Sequence, residues 1–438
     1  MEINADLGVR GGVIRAIGDL EGLPAAQTID CTGKVLLPGA VDLGVNLLEN
    51  GDFDPESGSS FALASRDAAL GGVTTIIATM AIEEMENTAD SIRKQSEADG
   101  ARAAVDFGYH LRVADWNDQR ARQAREAVAG GIASFWVVRT DKAAAHPAPA
   151  LLYTMLADLP EDSIAIVSPW DAALCSAALQ RLQAKCAITD GNWSELLPDS
   201  IEAAFVAQAA QILAGSRARV LIHGLSSAAS VAALAAARER NPRLLAAVAL
   251  PHLLFSDGDS TPRAWPPIRA KADQQALYTA LEDGLISAVL SEHKPRTPME
   301  SLATARNGKL PPAGMTTLKH FLPLLHSEGT LKWRLGLGSI SLCACADPAK
   351  LAGLYPRKGT LQPGSDADIV ILDPMADRPT NPLALTGTTK LDFLDPISSV
   401  PLKGAVQDVY LRGTKIVSQQ KLVEESRGAF LTRRVALK

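Results

Sequence analysis

Aromatic side chains are scarce in this chain, at 5% of its residues, and no basic stripe is interleaved with them. The charge balance is mildly acidic, −6 overall with 21% of residues charged. Together these features argue against a binder of nucleic acid or another polyanion. Long hydrophobic runs are missing: stretches such as Val73 to Ile82 are too short and too mixed to span a bilayer. The opening residues, Met1-Glu2-Ile3-Asn4-Ala5-Asp6, are acidic and lack the basic-then-apolar order of a signal peptide. Cysteine is sparse as well. The five, Cys31, Cys175, Cys186, Cys343 and Cys345, are odd in number and scattered, which argues against a disulfide framework or a zinc knuckle. Cys343-x-Cys345 reads as an alternating strand or core segment rather than as a metal pair. The expectation is a soluble, cytoplasmic protein that engages neither nucleic acid nor membrane.

Against these absences stands an apolar content of 47% over 438 residues, enough for a large domain with an accessory one. Up to Leu37 the chain reads as short strands: Leu7 to Arg10, Gly12 to Ile17, and Gln27 to Ile29. Comparable material returns at the far end, where Asp366 to Leu372 follows Pro363-Gly364 and Val406 to Val417 contains Tyr410-Leu411-Arg412-Gly413. Strands at both ends predict one composite β domain, from residues 1–37 together with 346–438. Between them, strand-like runs alternate with alanine-rich helical stretches. The strand candidates are Val73 to Ile77 after the helix stop Gly71-Gly72, Ala104 to Tyr109, Ala133 to Val138, Ile164 to Val167, Val220 to His223, Leu245 to Leu250 and Ala288 to Ser291. Ile201 to Leu213 and Ala228 to Arg240 carry helical periodicity, the latter with Ser226 or Ser227 as N-cap. This alternation predicts an α/β chain whose residues 38–345 form a (β/α)8 barrel, with the reaction site at the strand C-terminal ends.

Particular segments go further. Gly33-Lys34-Val35-Leu36-Leu37-Pro38-Gly39-Ala40-Val41-Asp42-Leu43-Gly44-Val45-Asn46 resembles the entry to the first barrel strand in the amidohydrolase superfamily, in its hydantoinase, dihydropyrimidinase and dihydroorotase branch. Ser65 to Thr75 is similar to that family's helix and second strand, and Phe107-Gly108-Tyr109-His110-Leu111 with Ala114-Asp115-Trp116-Asn117 to a hydantoinase segment. Most specific is Asp347-Pro348-Ala349-Lys350-Leu351 through Gly359 to Gly364-Ser365-Asp366-Ala367-Asp368, where the family's barrel returns to its β domain. The resemblance implies a TIM barrel with a small composite β-sandwich domain. The family's further hairpin ahead of Ala5-Asp6-Leu7 has no counterpart, so the β domain is trimmed or the start lies upstream.

The same resemblance assigns site positions, and most are altered. The family's first strand ends in a metal-binding His-x-His; those positions are Gly44 and Asn46. The carbamylated lysine that bridges two metals falls on Trp136, and the oxyanion-polarising tyrosine five residues on is Asp141. A histidine ligand after the next strand is replaced by Ser168 in Ile166-Val167-Ser168-Pro169-Trp170. His223, in Leu221-Ile222-His223-Gly224-Leu225-Ser226-Ser227, keeps its identity, and the aspartate that is both general base and ligand becomes Glu292. A substrate-contacting serine is Trp265, before Pro266-Pro267, and a late-loop asparagine falls on Leu310. Asp42 keeps its place in a structural hydrogen-bonding role, while His293, Lys294 and Arg296 read as a solvated loop.

A cyclic imide resists neutral water, and this family meets that difficulty by lowering the pKa of a metal-bound water. A hydrolytic metal site needs about three or four convergent N/O ligands. His223 and Glu292 are two, with Asn46 and Ser168 as weak neutral helpers. The expectations are therefore no bound metal, a buried and satisfied His223, and Trp136, Trp170 and Trp265 filling the former substrate cavity. On this reading the chain is not an enzyme but a catalytically silent structural or regulatory subunit. It would form a homodimer or homotetramer, or pair with an active paralogue or partner enzyme. Two alternatives stand beside it. One is an active cyclic amidohydrolase that opens a dihydropyrimidine, hydantoin or dihydroorotate ring with Glu292, with zinc as its metal. The other is a barrel that binds a small molecule without chemistry.

Overall fold

The computed structural model describes residues 2–47, 60–81, 87–137, 148–161, 163–258, 262–296, 313–380, 385–387, 392–423 and 427–434. Near the N-terminus, β1 (Asp6–Arg10) and β2 (Val13–Gly18) form an antiparallel hairpin, and β3 (Val35–Pro38) leads into the barrel. The predicted strand at Gln27 to Ile29 does not form; that stretch is exposed, irregular backbone.

Eight parallel strands follow in order around one sheet: β4 (Ala40–Val45), β5 (Val73–Ala81), β6 (Asp106–Val113), β7 (Ser134–Val137), β8 (Ile164–Val167), β9 (Arg219–Leu225), β10 (Leu244–Ala249) and β11 (Ala288–Leu290). The last meets the first through a parallel bridge between Val45 and His293. There the His293 amide donates to the Gly44 carbonyl at 3.1 Å, and the Asn46 amide donates to the His293 carbonyl at 3.1 Å. The sheet is thus an almost closed barrel.

Helices separate the strands: α1 (Ser60–Leu70), α2 (Thr88–Gly100), α3 (Asp118–Ala129), α4 (Ala148–Asp158), α5 (Ala172–Gln183), α6 (Asp199–Ala214), α7 (Ala228–Arg238), α8 (Leu250–Leu254) and α9 (Lys271–Glu282). Polar caps set several starts. Asn87, Asn117, Asp171 and Ser227 each accept a backbone N–H of the first turn of α2, α3, α5 and α7.

Period-two alternation divides the strands between two cores. Outward residues such as Phe107, Tyr109, Leu111, Ala165, Val167, Val220 and Ile222 pack under the helices. Inward residues such as Val41, Leu43, Ile77, Trp136, Ile164, Ile166, Leu221 and Leu290 fill the barrel. Cys343 and Cys345 lie in a buried helical stretch, not in a strand. Burial pushes the Cys343 thiol up to about 12, which leaves it an inert core group.

The chain ends build the second layer. β12 (Ile369–Asp377), β15 (Lys403–Leu411), β16 (Thr414–Ser418) and β17 (Lys421–Leu422) join β3 in a five-stranded antiparallel sheet, while β13 (Leu385–Gly387) and β14 (Asp392–Leu394) form a separate hairpin. Leu7, Ile14 and Ile17 of the β1–β2 hairpin pack on Ala367, Ile369 and Tyr410. Barrel and sheet are joined by buried charge. Lys358, 1% exposed, places Nζ 2.6 Å from Asp106, 2.7 Å from Asp368 and 2.9 Å from Asp366, and Arg412 also pairs with Asp106.

Candidate active site

Inward-facing positions near the strand C-terminal ends form one layer: Thr79 on β5, His110 on β6, Trp136 on β7, Ser168 after β8, His223 on β9 and Glu292 after β11. Thr79 and His110 are register partners. The His110 and Trp136 rings meet edge to face at 6.0 Å, and the Trp136 ring lies 4.2 Å from that of His223. His223 Nε2 is 3.2 Å from Glu292 Oε2. Its angle there makes no hydrogen bond, so the His223 nitrogen is buried without one. Burial holds the His223 imidazole neutral, with its pKa pulled down to about 3.

Glu292 is held in the left-handed backbone region, at φ 51, which a residue with a Cβ adopts only under constraint. Its neighbours supply the constraint. Asp42, fully buried, accepts from the Ser291 amide at 2.9 Å and from Ser291 Oγ at 2.5 Å, and also from the Gly44 amide at 3.0 Å. On the other side the His293 amide is tied to the Gly44 carbonyl. The expected solvated loop at His293 and Arg296 is instead interior wall. His293 is 2% and Arg296 7% exposed, because His293 is the residue through which β11 meets β4. Burial takes the His293 pKa down to about 3, and its Nδ1 accepts from the Thr317 amide at 3.2 Å.

The remaining positions fall as follows. Gly44 has no room for a side chain: a Cβ there would lie 2.8 Å from Leu290 Cβ and 3.1 Å from the Glu292 amide. Asn46 follows β4, and Ser168 sits half-buried in a turn where its carbonyl accepts the Trp170 amide at 2.8 Å. Trp265 lies at the rim between Trp170, at 5.6 Å, and Trp193, at 6.2 Å. Trp193 donates Nε1 to the Ala264 carbonyl at 2.9 Å and is covered by the Arg263 guanidinium at 5.3 Å. The three tryptophans therefore divide into two places, Trp136 inside the barrel and Trp170 with Trp265 in a cluster that Trp193 joins. Asp141 and Leu310 lie outside the described residues. A groove of about 340 Å³ lined by Val231, Ala276, Thr279 and Asp283 belongs to the outer face, between α7 and α9.

The two-metal centre implied by the resemblance does not fit these donors. Trp136 occupies the bridging position, Gly44 offers none, and both His110 nitrogens are engaged, Nδ1 with Ser134 Oγ at 2.5 Å and Nε2 with the Leu43 carbonyl at 3.1 Å. Among the described residues no three His, Cys, Asp or Glu side chains converge as a metal site.

His110 and its support, Ser134 and Arg433, were not among the residues singled out from the sequence. Alternation along Phe107 to Leu111 carries the signal for His110, since outward Phe107, Tyr109 and Leu111 leave Gly108 and His110 facing inward. Nothing local in the sequence marks Arg433.

Comparison with known proteins bears on what this layer does. The chain matches the amidohydrolase family over residues 35–416. It is 28% identical to the D-hydantoinase of Ralstonia pickettii, covering 98% of this chain and 95% of that one. It is 27% identical to the D-hydantoinase of Rhizobium radiobacter, over 95% and 92% of the two chains. Its structure superposes on the crystal structure of dihydropyrimidinase from Brevibacillus agri with a TM-score of 0.86 at 26% identity, covering 98% and 95%. These end-to-end relatives are named as enzymes, which overturns the expectation of a non-enzyme. The missing ligands show that one way of holding metal is gone, whereas a carboxylate and an imidazole still meet at the strand ends. The match spans both the barrel and the composite sheet: the chain belongs to the amidohydrolase family, on its hydantoinase and dihydropyrimidinase branch.

Proposed function

We propose that this chain hydrolyses a C–N bond within a cyclic amide of the hydantoin or dihydropyrimidine kind, with Glu292 as its general base and acid. The observation that carries the reading is the Glu292 carboxylate, borne on a left-handed backbone at the barrel's C-terminal end and lying 3.2 Å from a neutral His223. Strained residues persist where the surrounding structure over-determines them, and they cluster at active sites. Relatives over the whole chain named hydantoinase and dihydropyrimidinase support the substrate class.

The chain's own residues do the following. Glu292 accepts a proton from water as the water oxygen bonds to the ring carbonyl carbon. The ring C–N bond then breaks, and Glu292 returns the proton to the departing nitrogen, giving the open-chain acid. His223, uncharged at neutral pH, stands 3.2 Å from the carboxylate without adding a cation. Trp136, its ring 4.2 Å from that of His223, walls off the His223 side of the pair, and excluding water there strengthens the electrostatics of the carboxylate. The five cysteines are all free, which supports a reducing, cytoplasmic setting. Among the described residues no helix is long and apolar enough to cross a membrane. We place the chain in an oligomer, either with copies of itself or with a paralogue or partner enzyme.

The test is ring opening of hydantoin and dihydrouracil, followed by loss of ring absorbance and by product chromatography, for the wild type, Glu292→Gln and His223→Asn. Wild-type turnover with Glu292→Gln lowered by about 10²–10⁴-fold is expected for loss of a general acid–base group. Wild-type rates at background, or a Glu292→Gln enzyme as fast as the wild type, overturn the assignment.

A further inference from the structure

The C-terminal tail is built into the barrel wall. β7 pairs with β6 only from Leu111 onward, which leaves the first half of β6 open on that side. The tail fills the seam: Phe107 donates its amide to Ala429 at 3.0 Å, Leu431 donates to Phe107 at 2.7 Å, and Arg433 donates to Gly131 at 2.9 Å. Phe430 stacks on Tyr109 at 5.5 Å, and Leu431 joins the core inside the barrel. Two glycines make the insertion possible. A Cβ on Gly108 would lie 2.9 Å from Arg433 Nε, and one on Gly131, already at φ +91, would lie 2.7 Å from Thr432.

Arg433 then enters the interior. It is 1% exposed, donates Nη2 to the Tyr109 carbonyl and, at 2.9 Å, to Ser134 Oγ, and has no carboxylate in ion-pair range among the described residues. Its Nε and Nη1 find no acceptor there. Burial pulls the guanidinium down to about 9. Such a group is costly, since a buried charge without a partner opposes folding by several kcal/mol. Stability alone does not explain its place.

The hydrogen bonds explain it. A guanidinium only donates and a carbonyl only accepts. Ser134 Oγ therefore accepts from Arg433 and sends its own proton to His110 Nδ1, so His110 carries its proton on Nε2 and donates to Leu43. Every bond from the tail to β4 has its direction fixed by the two ends of the chain. We propose that Arg433 is a positioning residue for the active site: through Ser134 it holds the His110 ring in one tautomer and one orientation. That ring is the edge on which Trp136 rests, and Trp136 in turn sets His223 beside Glu292. The catalytic part of this inference rests on the cyclic-amide reading, whereas the state of His110 does not.

The test uses the full-length protein with ¹⁵N-labelled histidine, the His110 signal being assigned by its loss in His110→Asn. In the wild type, His110 shows one neutral species protonated on Nε2. In Arg433→Met and in Ser134→Ala a second species appears or the Nε2 signal moves, and kcat for ring opening falls about 10–100-fold, as for loss of a group that orients another, with KM little changed. Arg433→Lys, which keeps one donor to Ser134, restores the wild-type signal at least in part. A folded Ser134→Ala or Arg433→Met protein with the wild-type His110 signal overturns the proposal. Ser134→Ala decides the matter if Arg433→Met does not fold. If the wild type opens no ring, the functional reading fails while the His110 signal still decides the positioning.

Discussion

Lys358→Met removes the cation that joins barrel and sheet. In the wild type, Lys358 and Arg412 face Asp106, Asp366 and Asp368, with Lys358 at 2.6–2.9 Å from all three carboxylates. Asp106 is fully buried, Asp368 is 2% exposed, and Asp366 is half-buried. Burial works against the Lys358 cation, but the three carboxylates outweigh it and raise its pKa. Burial raises that of Asp368 even though Lys358 opposes it. Methionine keeps the volume and leaves three carboxylates with two more exposed cations, Arg412 on Asp106 and Arg357 on Asp366 at 2.9 Å. Removing one partner from a buried ion pair destabilises by about 3–5 kcal/mol. At least one buried aspartate must then take up a proton on folding, so its folded pKa rises further above its unfolded value. An acid with a raised folded pKa binds more protons folded than unfolded, and stability falls as pH rises. The deficit is therefore full near pH 7 and shrinks as pH falls toward the ordinary aspartate range. Urea unfolding at pH 7 and pH 5, followed by far-UV circular dichroism, measures it. A loss at pH 7 below about 1 kcal/mol, the range of an exposed pair, would refute the reasoning. So would a deficit that grows on acidification. Adding Asp368→Asn to Lys358→Met should recover part of the loss.

Other outcomes follow from the same geometry. Burial depresses the pKa of His110, His223, His252, His293 and His320, to about 3 at His223 and His293 and to about 4 at His320. The unfolded chain then binds more protons below about pH 6.5, and each group removes up to about 1.4 kcal/mol per pH unit. A pH series of unfolding midpoints should fall steeply from pH 6.5 toward 4; a flat profile would contradict neutral buried imidazoles. Gly44→Ala places a Cβ 2.8 Å from Leu290 Cβ, and overpacking of that kind destabilises by about 1–3 kcal/mol; an unchanged urea midpoint would show that β11 can yield. Zinc measured by plasma mass spectrometry on protein purified without chelator should stay below about a tenth of an equivalent, since fewer than three ligands converge among the described residues. One or two tight equivalents would mean that residues beyond those placed here complete a site.

The fold was legible because its signals are local. Val73-Thr74-Thr75-Ile76-Ile77 after Gly71-Gly72 and the continuous apolar run Ile164 to Val167 mark barrel strands without reference to any distant residue. Ser227 marks the start of α7 in the same way. Gln27 to Ile29 misled because three residues carry too little pattern to separate a strand from an exposed irregular segment. The expected strand Leu245 to Leu250 is shifted by one residue, since β10 starts at Leu244 and Leu250 already begins α8.

His223 and Glu292 could be named from the chain, and so could the absence of side chains for metal at Gly44 and Trp136. What the chain by itself determined is the alternation of strands and helices, the two-sided patterning of each strand and the identity of the residues at the strand ends. Tertiary structure alone decided that Glu292 is forced into a left-handed backbone by Asp42 and Gly44, on the far side of the closing seam. It alone brought Lys358 to Asp106, and Arg433 to Ser134 and His110, from the other end of the sequence. The reason is physical: side-chain periodicity fixes which face a residue takes, but burial and hydrogen bonding between residues hundreds of positions apart depend on barrel closure, which no local pattern encodes.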